Sequence, residues 1–337
     1  MGVKAIIASE GVHKHPKDIN LRIEDAENDM KRMAWLNAIK KLKTVMDFYE
    51  GDVPASIYLN LFYAYRGYGN LYCAENILIE GMEKNPENEK LAIEHAELAM
   101  EQQDWEQALW RWEEFRKIRY RKNEKFRKID FVYNNDLVNK LKYGKNAPIY
   151  AERIWINYRD CEKIIPKPVF LSHFNKLTPR KSSGLIIDNI WPSKEEQIPI
   201  KDSPRIKNSI DHWLYGVPWK DTGEYEIIKK LIDKYGSEAN CYNMDDIIER
   251  YKKLDNIYST VKKEGRIKTR RELKYNNFRE EGGILIHIGP SGELFFGMGG
   301  AHRMAIALIL NLRIPAQIGC VHKSAIHLLP LLRKGSF

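Results

Sequence analysis

Between about residues 20 and 122 the apolar positions recur at spacings of three and four, as expected for helices that each bury one face. The pattern also repeats. Tyr58, Leu61, Tyr65, Ala74, Leu78 and Pro86 make one unit, and Ala96, Ala99, Ala108, Trp112 and Phe115 take the same helix-packing positions in the next. Ala74 and Ala108 lie 34 residues apart and Ala38 and Ala74 lie 36 apart, so Ala38 marks an earlier, degenerate unit. Asp104, just before Trp105, is placed to cap the last unit's second helix. Beyond 122 the rhythm changes. Residues 135–142 predict one helix that stops at Gly144, and 151–157 and 184–188 predict strands. The polar, proline-bearing stretch between those strands is expected to be surface loop. Ile206, Ile210, Trp213 and Leu214 then share one helical face. Asp221 or Thr222 is expected to cap a helix from Glu224 to Tyr235. Ile247, Ile248, Tyr251, Leu254 and Tyr258 line the buried side of a further helix starting at Met244.

The densest apolar pattern comes near the end. Ile284 to Ile288 is β-prone, Gly289-Pro290-Ser291-Gly292 is a turn, and Glu293 to Phe296 is a second short run, which together predict a hairpin. Gly297-Met298-Gly299-Gly300 follows, and directly behind it Ala301 to Leu310 predicts a buried helix. Asn311 to Pro315 ends that helix, and Ala316 to Val321 predicts another strand. A strand, a glycine loop and a helix N-terminus in that order suit an anion, because small residues let backbone N–H groups close on a phosphate and the first-turn amides favour negative charge. His302 and Arg303 sit in that first turn and can add charge-assisted hydrogen bonds. The alternative is a glycine-rich turn around a satisfied core histidine.

The repeats resemble tetratricopeptide units over about 100 residues, with alanines where paired helices touch and large side chains filling the adjoining layer. Such arrays bind a peptide or a protein partner; a helical cap without an outside ligand is the alternative. Gly300-Ala301-His302-Arg303, between a hairpin and a helix with an Ile-Pro strand, resembles the phosphate-binding signature of the ParB/sulfiredoxin fold over residues 284–322. The stretch from His212 to Tyr225 is also similar to a ParB-like group associated with surface-polysaccharide genes, although Trp191-Pro192 stands where that group has an acidic Trp-Asp pair. The fold class expected is therefore multidomain: an all-α tetratricopeptide-like array over 20–122, a basic linker and helix over 123–150, and an α+β ParB/sulfiredoxin-like domain over 151–337 with a helical insertion.

The resemblance implies nucleotide phosphates held by Gly299, Gly300, Ala301, His302 and Arg303, with ATP or ADP as the expected nucleotide and Mg²⁺ as its companion. Sulfiredoxin chemistry is excluded, because Ala301 occupies the slot that needs a thiol. Chromosome partition is not expected, because only a strand and the short apolar tail 325–332 follow the motif. What remains is a phosphotransferase (kinase) acting on a small hydroxyl compound or saccharide. Its candidate catalytic residues are Asp188, Asp221 and His302, and Trp191, Trp219 and Tyr225 are candidates for stacking on substrate. Asp188 as a turn residue, Asp221 as a helix cap and the tryptophans as core are the plain alternatives. A nucleotide-responsive adaptor without catalysis is the second functional reading.

Composition adds limits. Much of the net charge of +9 is local to two basic runs, 116–128 and 262–274. Tyr120 and Phe126 alone do not make an interleaved aromatic platform, so nucleic acid is not the expected partner and nucleic-acid association is a third, weaker functional reading. Cys73, Cys161, Cys241 and Cys320 are scattered without metal or CxxC spacing, which predicts free thiols, no metal site and a cytoplasmic protein. No apolar run reaches the ~20 residues of a transmembrane helix.

Overall fold

The computed structural model describes residues 18–49, 51–102, 104–122, 128–174, 176, 178–188, 191–274 and 279–334. Residues 123–127 of the first basic run lie outside them. The chain divides into two compact units, residues 1–137 with 271–278, and residues 138–270 with 279–337. The expected linker over 123–150 is mostly helix: α7 (Lys128–Tyr143) extends the helix predicted over 135–142, and the division between the units falls inside it.

The first unit is a row of helix pairs. Its helices are α1 (Ile19–Lys31), α2 (Trp35–Asp47), α3 (Ala55–Tyr68), α4 (Leu71–Lys84), α5 (Glu89–Glu101) and α6 (Trp105–Arg121), and α1 packs on α2, α3 on α4 and α5 on α6. Side-chain caps set their starts: Asn70, Asn88 and Asp104 accept from the amides of Cys73, Leu91 and Gln107, each about 3 Å away. Ala38, Ala74, Ala96, Ala99 and Ala108 are all buried, as the repeat spacing requires. Between α3 and α4 the approach is closer still, since a Cβ on Gly81 would lie 2.8 Å from that of Tyr58. Trp112 and Phe115 fill the adjoining layer, with ring centroids 5.2 Å apart. The unit is a tetratricopeptide-like array, and the degenerate unit around Ala38 is its first complete pair.

The second unit is built on a seven-stranded mixed sheet of order β1-β7-β5-β6-β2-β4, with β3 also on β7. Its strands are β1 (Arg153–Asn157), β2 (Lys163–Ile164), β3 (Ile186–Ile187), β4 (Ile198–Pro199), β5 (Ile284–Ile288), β6 (Leu294–Phe296) and β7 (Arg313–His322). β5 and β6 form the predicted hairpin, with Ile288 opposite Leu294, and β7 runs parallel to β5 and antiparallel to β1. The sequence pattern does not foretell β2, β4 or the helix α8 (Lys167–His173): β2 and α8 lie in the stretch between 158 and 183 expected to be surface loop. One sheet face carries Ile154, Ile156, Ile284, Ile286, Ile288, Ile314, Ala316 and Ile318 against Met304 and Ala305 of α13 (Ala301–Leu310). Phe170 and Phe174 of α8 form a second buried cluster with Phe295 and Cys320. The predicted helical insertion is present as α9 (Pro204–Tyr215), α10 (Glu224–Tyr235) and α11 (Met244–Glu264), and α9 and α11 both pack on α13. The division between the units also falls inside the short α12 (Arg270–Leu273), and α14 (Leu329–Lys334) closes the described chain and packs on β1.

Candidate functional site

The glycine loop is tied to the sheet by two bonds and otherwise leaves its amides free. Gly297 N–H donates to Leu285 O at 2.7 Å, and Leu285 N–H donates to Gly299 O at 3.0 Å. Gly300 has φ +81° and its missing Cβ would sit 3.1 Å from Ile284 Cα, so only glycine fits this entry into α13. The first bond of the helix is Met304 N–H to Gly300 O. Among the described residues, no protein acceptor pairs with the N–H groups of Met298, Gly299, Gly300, Ala301, His302 or Arg303. Six successive unpaired donors at a helix N-terminus attract an anion.

The loop borders a cavity of about 880 Å³ within this unit. Met298, Gly299 and Ala301 form one wall, and Lys167, Arg180 and Arg205 bring positive charge to it. Glu238 is the single carboxylate among the lining residues, and it is already held by Arg205 at 3.1 Å. Ile227, Leu231, Tyr235 and Phe296 give the cavity an apolar side. The Arg180 guanidinium is pinned by Gln317 Oε1 (3.1 Å) and Gly283 O (3.4 Å), and Gly299 has no side chain to meet it.

Of the sequence-predicted phosphate ligands, Gly299 and Ala301 line the cavity, and Gly300 supplies the turn. His302 and Arg303 do not line it. Successive residues of a helix point about a third of a turn apart, and these two are turned to other sides. His302 is buried, edge-on to the rings of Tyr251 (5.7 Å) and Trp219 (6.4 Å), with Nε2 3.8 Å from Glu224 Oε1. Arg303 donates to Gly282 O at 2.5 Å. Burial, helped by the neighbouring Arg270, brings its guanidinium down to about 10.

The other candidates also lie off the cavity. Asp188 is exposed and paired with Lys323 at 3.0 Å. Asp221 is exposed at the end of a single 3-10 turn, and it is Thr222 Oγ1, not Asp221, that accepts the amide of Glu224. Trp219 is 6% exposed, donates Nε1–H to Asp255 Oδ1, and has its face stacked on the His212 ring at 4.1 Å, which removes that face from any ligand. Tyr225 packs on Tyr251, with centroids 5.3 Å apart. Trp191 packs between Phe174 and Phe295. Sequence reasoning missed Lys167, Arg180, Arg205 and Glu238. They come from segments 60 or more positions before the motif, and the only signal, for the three cations, was charge beside a proline (Pro166, Pro179 and Pro204). Among the described residues, no group of three or more His, Cys, Asp or Glu is disposed to hold a metal ion.

Behind the loop lies a buried carboxyl. Glu280 is 1% exposed and accepts from Arg270 N–H at 2.9 Å. Burial pushes it up to about 7, with Arg153, Arg303 and Arg270 acting against the rise. Because its folded pKa is above the unfolded value of 4.5, ionising it costs stability: the cost is absent below pH 4.5, grows as pH rises, and is complete above about 7. Glu280→Gln removes a penalty of about 3 kcal/mol at pH 8 and nothing at pH 4.5. Urea denaturation at the two pH values checks this; equal effects at both would contradict it.

No protein-family model matches the chain, and no curated protein matches it. Among solved structures, a MamA RS-1 double mutant covers 36% of this chain and 67% of its own at 15% identity with a TM-score of 0.32. A crystal structure of MamA covers 42% of this chain and 71% of its own at 14% identity with a TM-score of 0.34. PcrH, solved with the chaperone binding region of PopB, covers 34% of this chain and 87% of its own at 13% identity with a TM-score of 0.29. The helical-array reading rests on the chain's own helix pairing and buried alanines. No helix among the described residues is long and apolar enough to cross a membrane.

Proposed function

We propose that this chain is a nucleotide-responsive adaptor: the helical array holds a protein partner, and the second unit binds a nucleotide or another phosphorylated small molecule at its glycine loop. The observation that carries the ligand half is the run of unpaired amides from Met298 to Arg303 beside a cavity bearing Lys167, Arg180 and Arg205. Preset donors and guanidinium groups bind phosphoryl oxygens without a reorganisation cost. The partner half is supported by the paired-helix array and by large side chains it leaves exposed, among them Leu36, Tyr72 and Trp110. It is also supported by a groove of about 400 Å³ that Met46, Leu61, Tyr65 and Ile77 line. A phosphotransferase with the same ligand would need a carboxylate beside the acceptor hydroxyl. The sequence-predicted bases Asp188 and Asp221 lie off the cavity, so binding without turnover is favoured.

A thermal-denaturation panel of ATP, ADP and CTP, with and without Mg²⁺, tests the reading. A nucleotide at a hundred times its Kd adds about 2.7 kcal/mol, a rise of about 5 °C or more in a unit of this size. Arg180→Ala, which removes a charge-assisted bond, should weaken binding about 10-fold to 100-fold. Mg²⁺-dependent turnover would move the conclusion to the enzyme. If no nucleotide shifts the melting of the wild type, the ligand half is wrong.

A further inference from the structure

The cavity contains one ion pair that uses the same guanidinium a phosphoryl group would use. Arg205 stands in the first turn of α9, with Nη2 3.1 Å from Glu238 Oε1 and Nε 3.6 Å from Glu224 Oε1. Glu224 is fully buried and already accepts from Tyr251 Oη (2.8 Å) and Asn208 Nδ2 (3.0 Å), so it keeps its position without Arg205. Glu238 is different. Its carboxylate is about a third exposed, has Arg205 as its ion-pair partner, and faces the cavity.

The backbone that presents Glu238 is fixed. Glu238 and Cys241 exchange both of their N–H···O bonds, at 3.1 and 2.9 Å, across Ala239 and Asn240, which have φ of +53° and +61°. Two consecutive left-handed residues make a tight turn of the I′ kind. Arg250 Nη1 also donates to Ala239 O at 3.1 Å. The turn itself stays in place if the guanidinium swings toward the glycine loop, so only the Glu238 side chain can adjust.

We propose that Glu238 is an internal stand-in for the ligand's phosphoryl group, which holds Arg205 until a phosphorylated ligand binds and then must give it up. The inference rests on the phosphoryl-binding reading above and adds its regulation. Arg205 becomes a ligand-binding residue, and Glu238 sets a threshold of charge. A phosphoryl group carrying close to two negative charges outcompetes one carboxylate for the guanidinium, whereas a singly charged group replaces like with like. The ligand class is therefore one with a terminal phosphoryl group, such as a nucleoside mono- or diphosphate, rather than a phosphodiester.

The experiment is a double-mutant cycle on the full chain, with ADP binding measured by calorimetry in the wild type, Glu238→Gln, Arg205→Gln and the double variant. Glu238→Gln should tighten ADP about fivefold, the worth of a part-exposed ion pair, and Arg205→Gln should weaken it about tenfold. In the double variant the gain from Glu238→Gln must vanish, because Glu238 acts through Arg205. An equal gain in both backgrounds would mean that Glu238 acts only as a nearby negative charge, and it overturns the proposal. So does a Glu238→Gln protein that binds ADP no better than the wild type. Either result, with wild-type binding intact and lost in Arg180→Ala, leaves the phosphoryl site standing and removes only the stand-in. Absence of ADP binding in the wild type removes both. Arg205→Lys, which keeps the charge but not the fork, should fall between wild type and Arg205→Gln, and serves if the glutamine variant fails to fold.

Discussion

Gly319→Ala should destabilise the second unit by about 4 kcal/mol, among the larger effects open to a single added methyl group. Gly319 lies in β7, and a Cβ there would stand 2.1 Å from His287 Nδ1 and 2.9 Å from Ile286 O. The imidazole cannot withdraw. Its Nδ1 accepts the N–H of Cys320 at 3.0 Å, its face stacks on Phe170 at 4.7 Å and 24°, and its Nε2 lies against Gly297, where a Cβ would be 2.7 Å away. Burial holds the ring neutral by bringing its pKa down to about 3. Relief must come from shifting β7 against β5, which are the central strands of the sheet. The cause is checked by rescue. Adding His287→Ala to Gly319→Ala should recover about 1–2 kcal/mol, although His287→Ala alone destabilises by emptying the site and orphaning the Cys320 amide. Urea denaturation of the four proteins decides it, and a Gly319→Ala protein within 1 kcal/mol of the wild type would refute the account.

Gly319 also shows what the sequence could and could not reveal. The hairpin, the glycine loop, α13 and β7 were legible because each is a continuous apolar run bounded by turn residues. The array was legible because Ala38, Ala74 and Ala108 recur at nearly one interval. A glycine that admits the ring of His287, 32 positions away in sequence, leaves no local trace. β2 and β4 escaped because two residues have no period, and α8 because seven residues are too few to show a helical stripe. For the candidate site, the anion-binding loop was readable and its cations were not. The motif names His302 and Arg303, but which way a first-turn side chain points depends on what packs around the helix. Here α10 and α11 supply Glu224 and Tyr251 to enclose His302, and the backbone at Gly282 captures Arg303. The cavity cations Lys167, Arg180 and Arg205 come from three separate segments, and only the fold brings them together.

Glu224→Ala should cost about 4 kcal/mol, because it leaves several buried groups without their common partner. Glu224 has no exposed surface, and it joins four helices. From α10 it accepts from Asn208 of α9 and Tyr251 of α11, and it stands 3.6 Å from Arg205 of α9 and 3.8 Å from His302 of α13. Burial alone would raise its pKa, but His302, Asn208 and Tyr251 outweigh burial and hold the carboxyl below its ordinary value of 4.5. The sign follows from that direction. A carboxyl with a lowered folded pKa contributes stability that is fully present above 4.5 and is lost as pH falls through the folded value. Glu224→Gln keeps the volume and one acceptor oxygen, so it should cost about half as much as alanine at pH 7, and its deficit should shrink as the wild type is acidified below 4.5. Glu224→Ala should keep most of its deficit at acid pH, since a protonated Glu224 still fills the space and accepts from Tyr251. Denaturation midpoints of the three proteins, followed from neutral pH to the acid side of 4.5, separate the charge from the packing. A glutamine deficit independent of pH would show that Glu224 acts through shape alone, and the link from the glycine loop through His302 to the helical insertion would then be steric.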